Sequence, residues 1–92
     1  MRNVKLHPQA KAEAQHSAEY YEIRKSGLGD DFANELEQAL NKISFRPLLS
    51  PIIEGAYHSY SPKRFPFQAI FRSNSTEVFA VAIAHFSRHP EY

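Results

Sequence analysis

Arg64-Phe65-Pro66-Phe67-Gln68-Ala69-Ile70-Phe71-Arg72 changes character at almost every step. Phe65, Phe67, Ala69 and Phe71 share one side, and Arg64, Gln68, Ile70 and Arg72 share the other, which is the period of a β-strand. Ser73-Asn74-Ser75-Thr76 supplies a turn, because Asn tolerates a positive φ and Ser bonds local backbone. Glu77-Val78-Phe79-Ala80-Val81-Ala82-Ile83-Ala84-His85 then returns, apolar on both faces and therefore central in a sheet. A turn centred on Asn74-Ser75 sets Arg72 opposite Glu77, an opposite-charge pair that supports the alignment. The ladder then places Phe71 against Val78, Ala69 against Ala80, Phe67 against Ala82 and Phe65 against Ala84. On the other face it pairs Ile70 with Phe79, Gln68 with Val81, Pro66 with Ile83 and Arg64 with His85. One face is thus ready for close packing, and Arg64 and His85 become neighbours on the open one.

Outward from this hairpin, Tyr57–Ser61 reads as a weaker strand that turns into Arg64 through Ser61-Pro62-Lys63. Upstream, Arg46–Glu54 is a connector bounded by Pro47 and Pro51, in which Leu48, Leu49, Ile52 and Ile53 are expected to be buried. At the start of the chain, Asn3–His7 alternates Val4 and Leu6 with polar neighbours and reads as a short edge strand. Pro8 suits a first helical turn, and the residues to about Lys25 favour helix, with Ala10, Ala14, Ala18 and Tyr21 on one stripe. Gly27 is expected to take a left-handed conformation. Asp30 and Asp31 are expected to open a second helix, one as its cap. Phe32, Leu36, Ala39 or Leu40, and Ile43 give that helix its apolar face, and Pro47 stops it. The order is β-α-α-β-β-β, an α+β class with a two-helix hairpin on one face of an antiparallel sheet.

Ninety-two residues make one domain, with a net charge of +1 and no cysteine. Disulfides, thiolate chemistry and Cys-ligated zinc are therefore excluded. The five histidines come with no carboxylate cluster, so no metal and no cofactor is expected. No stretch resembles a signal peptide or a membrane span, which points to the cytoplasm.

Three patterns in this order resemble the RelE/ParE superfamily of bacterial toxins. They are Tyr20-Tyr21-Glu22 with Gly27-Leu28-Gly29-Asp30-Asp31-Phe32; Arg64-Phe65-Pro66-Phe67; and Ala82-Ile83-Ala84-His85 followed by Arg88-His89-Pro90-Glu91-Tyr92. The resemblance covers nearly the whole chain and implies a single RelE/ParE-like toxin domain over residues 1–92. It implies the toxin of a type II toxin–antitoxin pair, neutralised by a cognate antitoxin that wraps it. ParE-like members inhibit DNA gyrase, RelE-like members cut mRNA on the ribosome, and an inactive homologue would only bind its antitoxin. Relatives often carry arginine where Tyr57-His58 stands here, and the basic set of the second half is sparse: Lys63, Arg64, Arg72 and Arg88. Both departures weigh against nuclease activity, and the sparse basic set favours the ParE-like branch.

For the RelE-like alternative, the candidate catalytic residues are Arg64, His85 and Arg88, and the candidates for holding substrate are Lys63, Arg72 and Tyr92. Histidine titrates near neutrality and can act as acid or base. Arginine can hold a phosphate through two parallel bonds, and Tyr92 can stack on a base. The same residues also admit a structural reading, with Arg64 bonded to Glu91 or to a backbone carbonyl at a strand end, and with Tyr92 frayed.

Overall fold

The computed structural model of the chain describes residues 2–85. Its elements are β1 (Asn3–Leu6), α1 (Pro8–Arg24), α2 (Leu28–Phe45), β2 (Ile52–Glu54), β3 (Tyr57–Tyr60), β4 (Phe67–Ser73) and β5 (Glu77–His85). A single turn of 3-10 helix at Pro47–Leu49 follows α2. The expected α+β order is present, with β2 added from within the connector. The sheet order is β1-β5-β4-β3-β2. Pairings from β2 to β5 are antiparallel, while β1 runs parallel to β5, so the sheet is mixed.

His7 caps α1: its Nδ1 accepts from the Gln9 N–H at 3.1 Å, and Pro8 sits in the first turn, where no N–H is needed. Gly27 has φ 88°, the left-handed conformation expected of it. The second helix starts at Leu28, however, ahead of Asp30, and neither aspartate caps it. Its cap comes from α1. The Glu22 carboxylate accepts the Gly27 N–H at 2.9 Å and the Gly29 N–H at 3.0 Å, satisfying donors that the first helical turn cannot. Asp30 and Asp31 remain in that turn, where negative charge suits the helix dipole. The two helices meet so closely that a Cβ on Gly29 would lie 2.6 Å from the Ala18 carbonyl oxygen.

The two helices enclose the core against one face of the sheet. Ala10, Tyr21, Phe32, Leu36, Ala39 and Ile43 from the helices bury against Phe65, Phe67, Ala69, Phe71, Val78, Ala80 and Ile83. Phe65 belongs to this core but not to β4. Pro66 interrupts the strand there, and the Phe67 N–H turns back to the Phe65 carbonyl at 2.9 Å, a tight turn that suits the fixed φ of proline.

The ladder between β4 and β5 differs from the expected one. Ser73 pairs with Val78, Arg72 with Phe79 and Phe71 with Ala80. The turn has moved one residue along, because the Asn74 side-chain oxygen accepts the N–H groups of Thr76 and Glu77 at 2.9 and 2.8 Å. The Asn74 N–H in turn donates to the Glu77 carbonyl at 2.9 Å. Arg72 therefore does not face Glu77, whose carboxylate pairs with Lys5 at 2.7 Å. Beyond Phe71 the register shifts again, to Ile70–Ala82, Ala69–Ile83, Gln68–Ala84 and Phe67–His85. Val81 is the extra residue of a bulge, and a bulge re-aims the side chains that follow it. Val78 and Ala80 face the helices before it; Ile83 and His85 do so after it. Arg64 and His85 are consequently not cross-strand neighbours, and His85 is not on the open face.

The connector also departs from expectation. Leu48, Leu49, Ile52 and Ile53 are exposed by 73, 74, 67 and 49%, respectively, because only Pro47 of this segment reaches the core. The connector is held through its backbone instead. The Ser59 N–H donates to the Pro51 carbonyl at 3.0 Å. The buried His58 ring stacks on Phe71 and bonds through Nδ1 to the Ser50 carbonyl at 2.8 Å.

Candidate functional site

The bulge in β5 brings His85 to the helix side, where it meets the first pattern of the chain. Its Nε2 lies 2.5 Å from the Tyr21 hydroxyl. Tyr20, Tyr21 and Phe32 present their rings edgewise to the imidazole, with centroids 6.0, 5.1 and 6.1 Å away. Tyr21 also packs edge-on against Phe65 at 4.8 Å, and Phe32 touches both Phe65 and Phe67. These rings form a continuous aromatic cluster at the end of the sheet where β4 begins and β5 ends. A proton moved by Nε2 of His85 must pass through, or displace, the Tyr21 hydroxyl.

Arg64 borders the same cluster from the loop before β4. Its guanidinium lies 5.1 Å from the centre of the Phe65 ring and donates to the Asp31 carboxylate at 3.0 Å. Both partners are about half exposed, so the pair contributes on the order of 0–1 kcal/mol. Lys63 is exposed in the same loop. Arg72 is elsewhere: near the far end of β4, on the face away from the helices, its guanidinium lies 4.9 Å from the Phe79 ring centre. The structure thus gathers Arg64 and His85 around one aromatic cluster, each bonded to a helix, and leaves Arg72 apart. Arg88 and Tyr92 lie outside the described residues.

Two carboxylates acquire roles that the sequence reading did not find. Glu22 bridges α1 to the start of α2, as described above. Glu13, on α1, accepts the Ile83 backbone N–H at 2.8 Å, just past the point where β1 stops covering β5. A carboxylate on an otherwise alanine-rich helix gives no local sign of a partner seventy residues away in sequence. Among the described residues no group of three or more His, Cys, Asp or Glu side chains could hold a metal ion. Among them, too, no helix is long and apolar enough to cross a membrane.

The class defined by these elements is a mixed five-stranded sheet with an αα-hairpin packed on one face. The same fold occurs in a solved chain of the chromosomal ParDE toxin–antitoxin system from P. aeruginosa, with a TM-score of 0.74 and 15% identity. That match covers 92% of this chain and 96% of the other. A chain of the toxin–antitoxin complex RelBE2 from Mycobacterium tuberculosis matches with a TM-score of 0.65 and 16% identity, covering 91% of this chain and 96% of that one. No protein-family model and no curated protein sequence matches.

Proposed function

We propose that the chain is the toxin of a type II toxin–antitoxin pair, residues 1–92 acting as one RelE/ParE-like domain in the cytoplasm. A cognate antitoxin neutralises it, and it works in the ParE-like manner, by binding a macromolecular target such as DNA gyrase. The fold likeness to the ParDE and RelBE2 chains along nearly the full length supports the toxin reading. The observation that carries the choice of branch is the engagement of Arg64 by Asp31 and of His85 by Tyr21. Each side chain is engaged by a helix residue, Arg64 from the loop before β4 and His85 from the end of β5, which suits a binding surface better than a proton-transfer pair.

The RelE-like reading, a ribosome-dependent mRNA endonuclease, has one observation in its favour. Arg64 and His85 border the same aromatic cluster, which sets a cation and an imidazole at one end of the sheet; Arg88 would join them in catalysis, and Lys63, Arg72 and Tyr92 would hold the substrate. The test runs the purified chain against gyrase supercoiling and against translating ribosomes with primer extension. Blocked supercoiling with intact mRNA is the expected result. Codon-linked cuts that fall by about 10²–10⁴ in His85→Ala would establish the nuclease instead. If both assays are silent while antitoxin still binds, the chain is an inactive homologue.

A further inference from the structure

α1 ends in Tyr20, Ile23 and Arg24, spaced i, i+3 and i+4 and therefore side by side on one face of the helix. The Arg24 guanidinium lies 4.5 Å from the centre of the Tyr20 ring, and that ring stands edge-on to Tyr21 at 5.4 Å. Tyr21 meets Phe65, and Phe65 carries the Arg64 guanidinium. An unbroken row of cation, three rings and cation thus runs from α1 to the loop before β4: Arg24, Tyr20, Tyr21, Phe65, Arg64. Beside Arg24, Ile23 is 87% exposed, more than any other large apolar side chain among the described residues.

A guanidinium laid on a ring keeps its planar fork of N–H donors at the edge, free to meet an acceptor beyond the ring. Side chains held in this way lose little rotamer freedom when an acceptor arrives. Arg24 is ion-paired with no described residue, and the same is true of the exposed Lys25 and Lys63 beside the two arginines in sequence. Of the acids in these segments, Glu22 is committed to the start of α2 and Asp31 to Arg64. Glu19 and Asp30 remain, against four cations, so an anionic partner is favoured.

The class of partner follows from Ile23 and from the charge of the whole chain. A nucleic-acid backbone is gripped by many cations at once, whereas this chain has a net charge of +1 and sets a bare isoleucine beside its arginine. Tyrosine and arginine around an apolar side chain have the composition of a protein–protein hot spot.

We propose that Tyr20, Ile23, Arg24 and Arg64 form the surface by which the chain grips its protein target, and that the matching patch is an apolar side chain flanked by carboxylates. This surface presupposes the ParE-like reading, in which a protein is bound and no mRNA is cut. Ile23 lies against the apolar group. Arg24, fixed on Tyr20, takes one carboxylate through two parallel N–H bonds. Arg64, fixed on Phe65, takes another with the donors that Asp31 leaves over.

The experiment uses the full chain and purified DNA gyrase, with inhibition of supercoiling titrated and affinity measured by surface plasmon resonance. Arg24→Glu and Ile23→Asp, both at exposed positions, should fold normally by circular dichroism. Each should raise the half-inhibitory concentration and the Kd by about tenfold or more. Arg24→Lys keeps the charge but loses the planar fork, and should cost about threefold. The difference between Arg24→Glu and the parent should shrink at high salt. Lys11→Glu makes the same change of charge near the other end of α1 and should leave both readings unchanged. If the wild-type chain leaves gyrase untouched, the ParE-like reading fails and this surface fails with it. Should the wild type inhibit gyrase while Arg24→Glu and Ile23→Asp inhibit it equally well, the reading stands and the surface alone is wrong. If Arg24→Glu keeps gyrase but loses the protein encoded by the adjoining reading frame, the surface belongs to the antitoxin, which also overturns the proposal.

Discussion

The two ends of the sheet bury apolar residues on opposite terms. Around β4 and β5, Phe32, Phe67 and Phe71 are fully enclosed, and helix contacts are close enough to require a glycine. Around β2, a run just as apolar, Leu48 to Ile53, lies in the open. Composition does not separate these regions. What separates them is whether a helix passes overhead. α2 ends at Phe45, so the segment after it is tethered by backbone bonds and by His58 while its side chains stay outside. Among the described residues, a closed core and an open apolar groove therefore coexist within one sheet.

Substitutions across the two ends test this contrast, and the largest effect belongs to the closed end. Phe65→Asp puts an unpaired charge among Tyr21, Phe32 and Phe67. It should cost about 4 kcal/mol or more, read as an unfolded chain or a collapsed urea midpoint. Gly29→Ala forces a methyl group against the Ala18 carbonyl and should cost roughly 1–3 kcal/mol in the same melts. Glu22→Ala removes the bridge to the start of α2; a loss of about 0.5–2 kcal/mol is expected, with early amide exchange at residues 27–31. At the open end, Leu49→Ser and Ile53→Ser should stay within about 0.5 kcal/mol of the parent. A loss of 2 kcal/mol or more at either position would mean that the groove is filled by the chain itself, and the contrast between the ends would collapse.

The same contrast explains how far the sequence could be read. The β-α-α-β-β-β order follows from local signals: Pro8, Gly27, Pro47 and the alternation of Phe67, Ala69 and Phe71, all of which act over a few residues. The register does not, because it depends on which residue the Asn74 side chain selects as the start of the turn, and then on a bulge at Val81. An Ala-Val-Ala-Ile run offers little preference for either face, so a one-residue insertion goes unmarked in it. That insertion moved His85 from the open face to Tyr21, and with it the shape of the candidate site. Arg64 found Asp31, thirty-three residues away, a contact that only the packed hairpin creates. Leu48 to Ile53 looked like core for the same reason: hydrophobicity states a preference for cover and says nothing of which molecule supplies it.

Glu13 gives the molecule a polarity in how it can associate. A β-sheet with bare margins is a template on which further chains can stack. Among the described residues no strand lies beside the outer margin of β5 past Ala80, and the Glu13 carboxylate fills one of the hydrogen-bonding positions that an incoming strand would need. It also carries negative charge to that place. Strand-on-strand growth is thereby discouraged at the β5 margin and left to the other, where β2 is only three residues long and irregularly paired. Glu13→Leu should open this guarded side, and concentrated solutions of the variant should scatter light within hours while the parent stays clear.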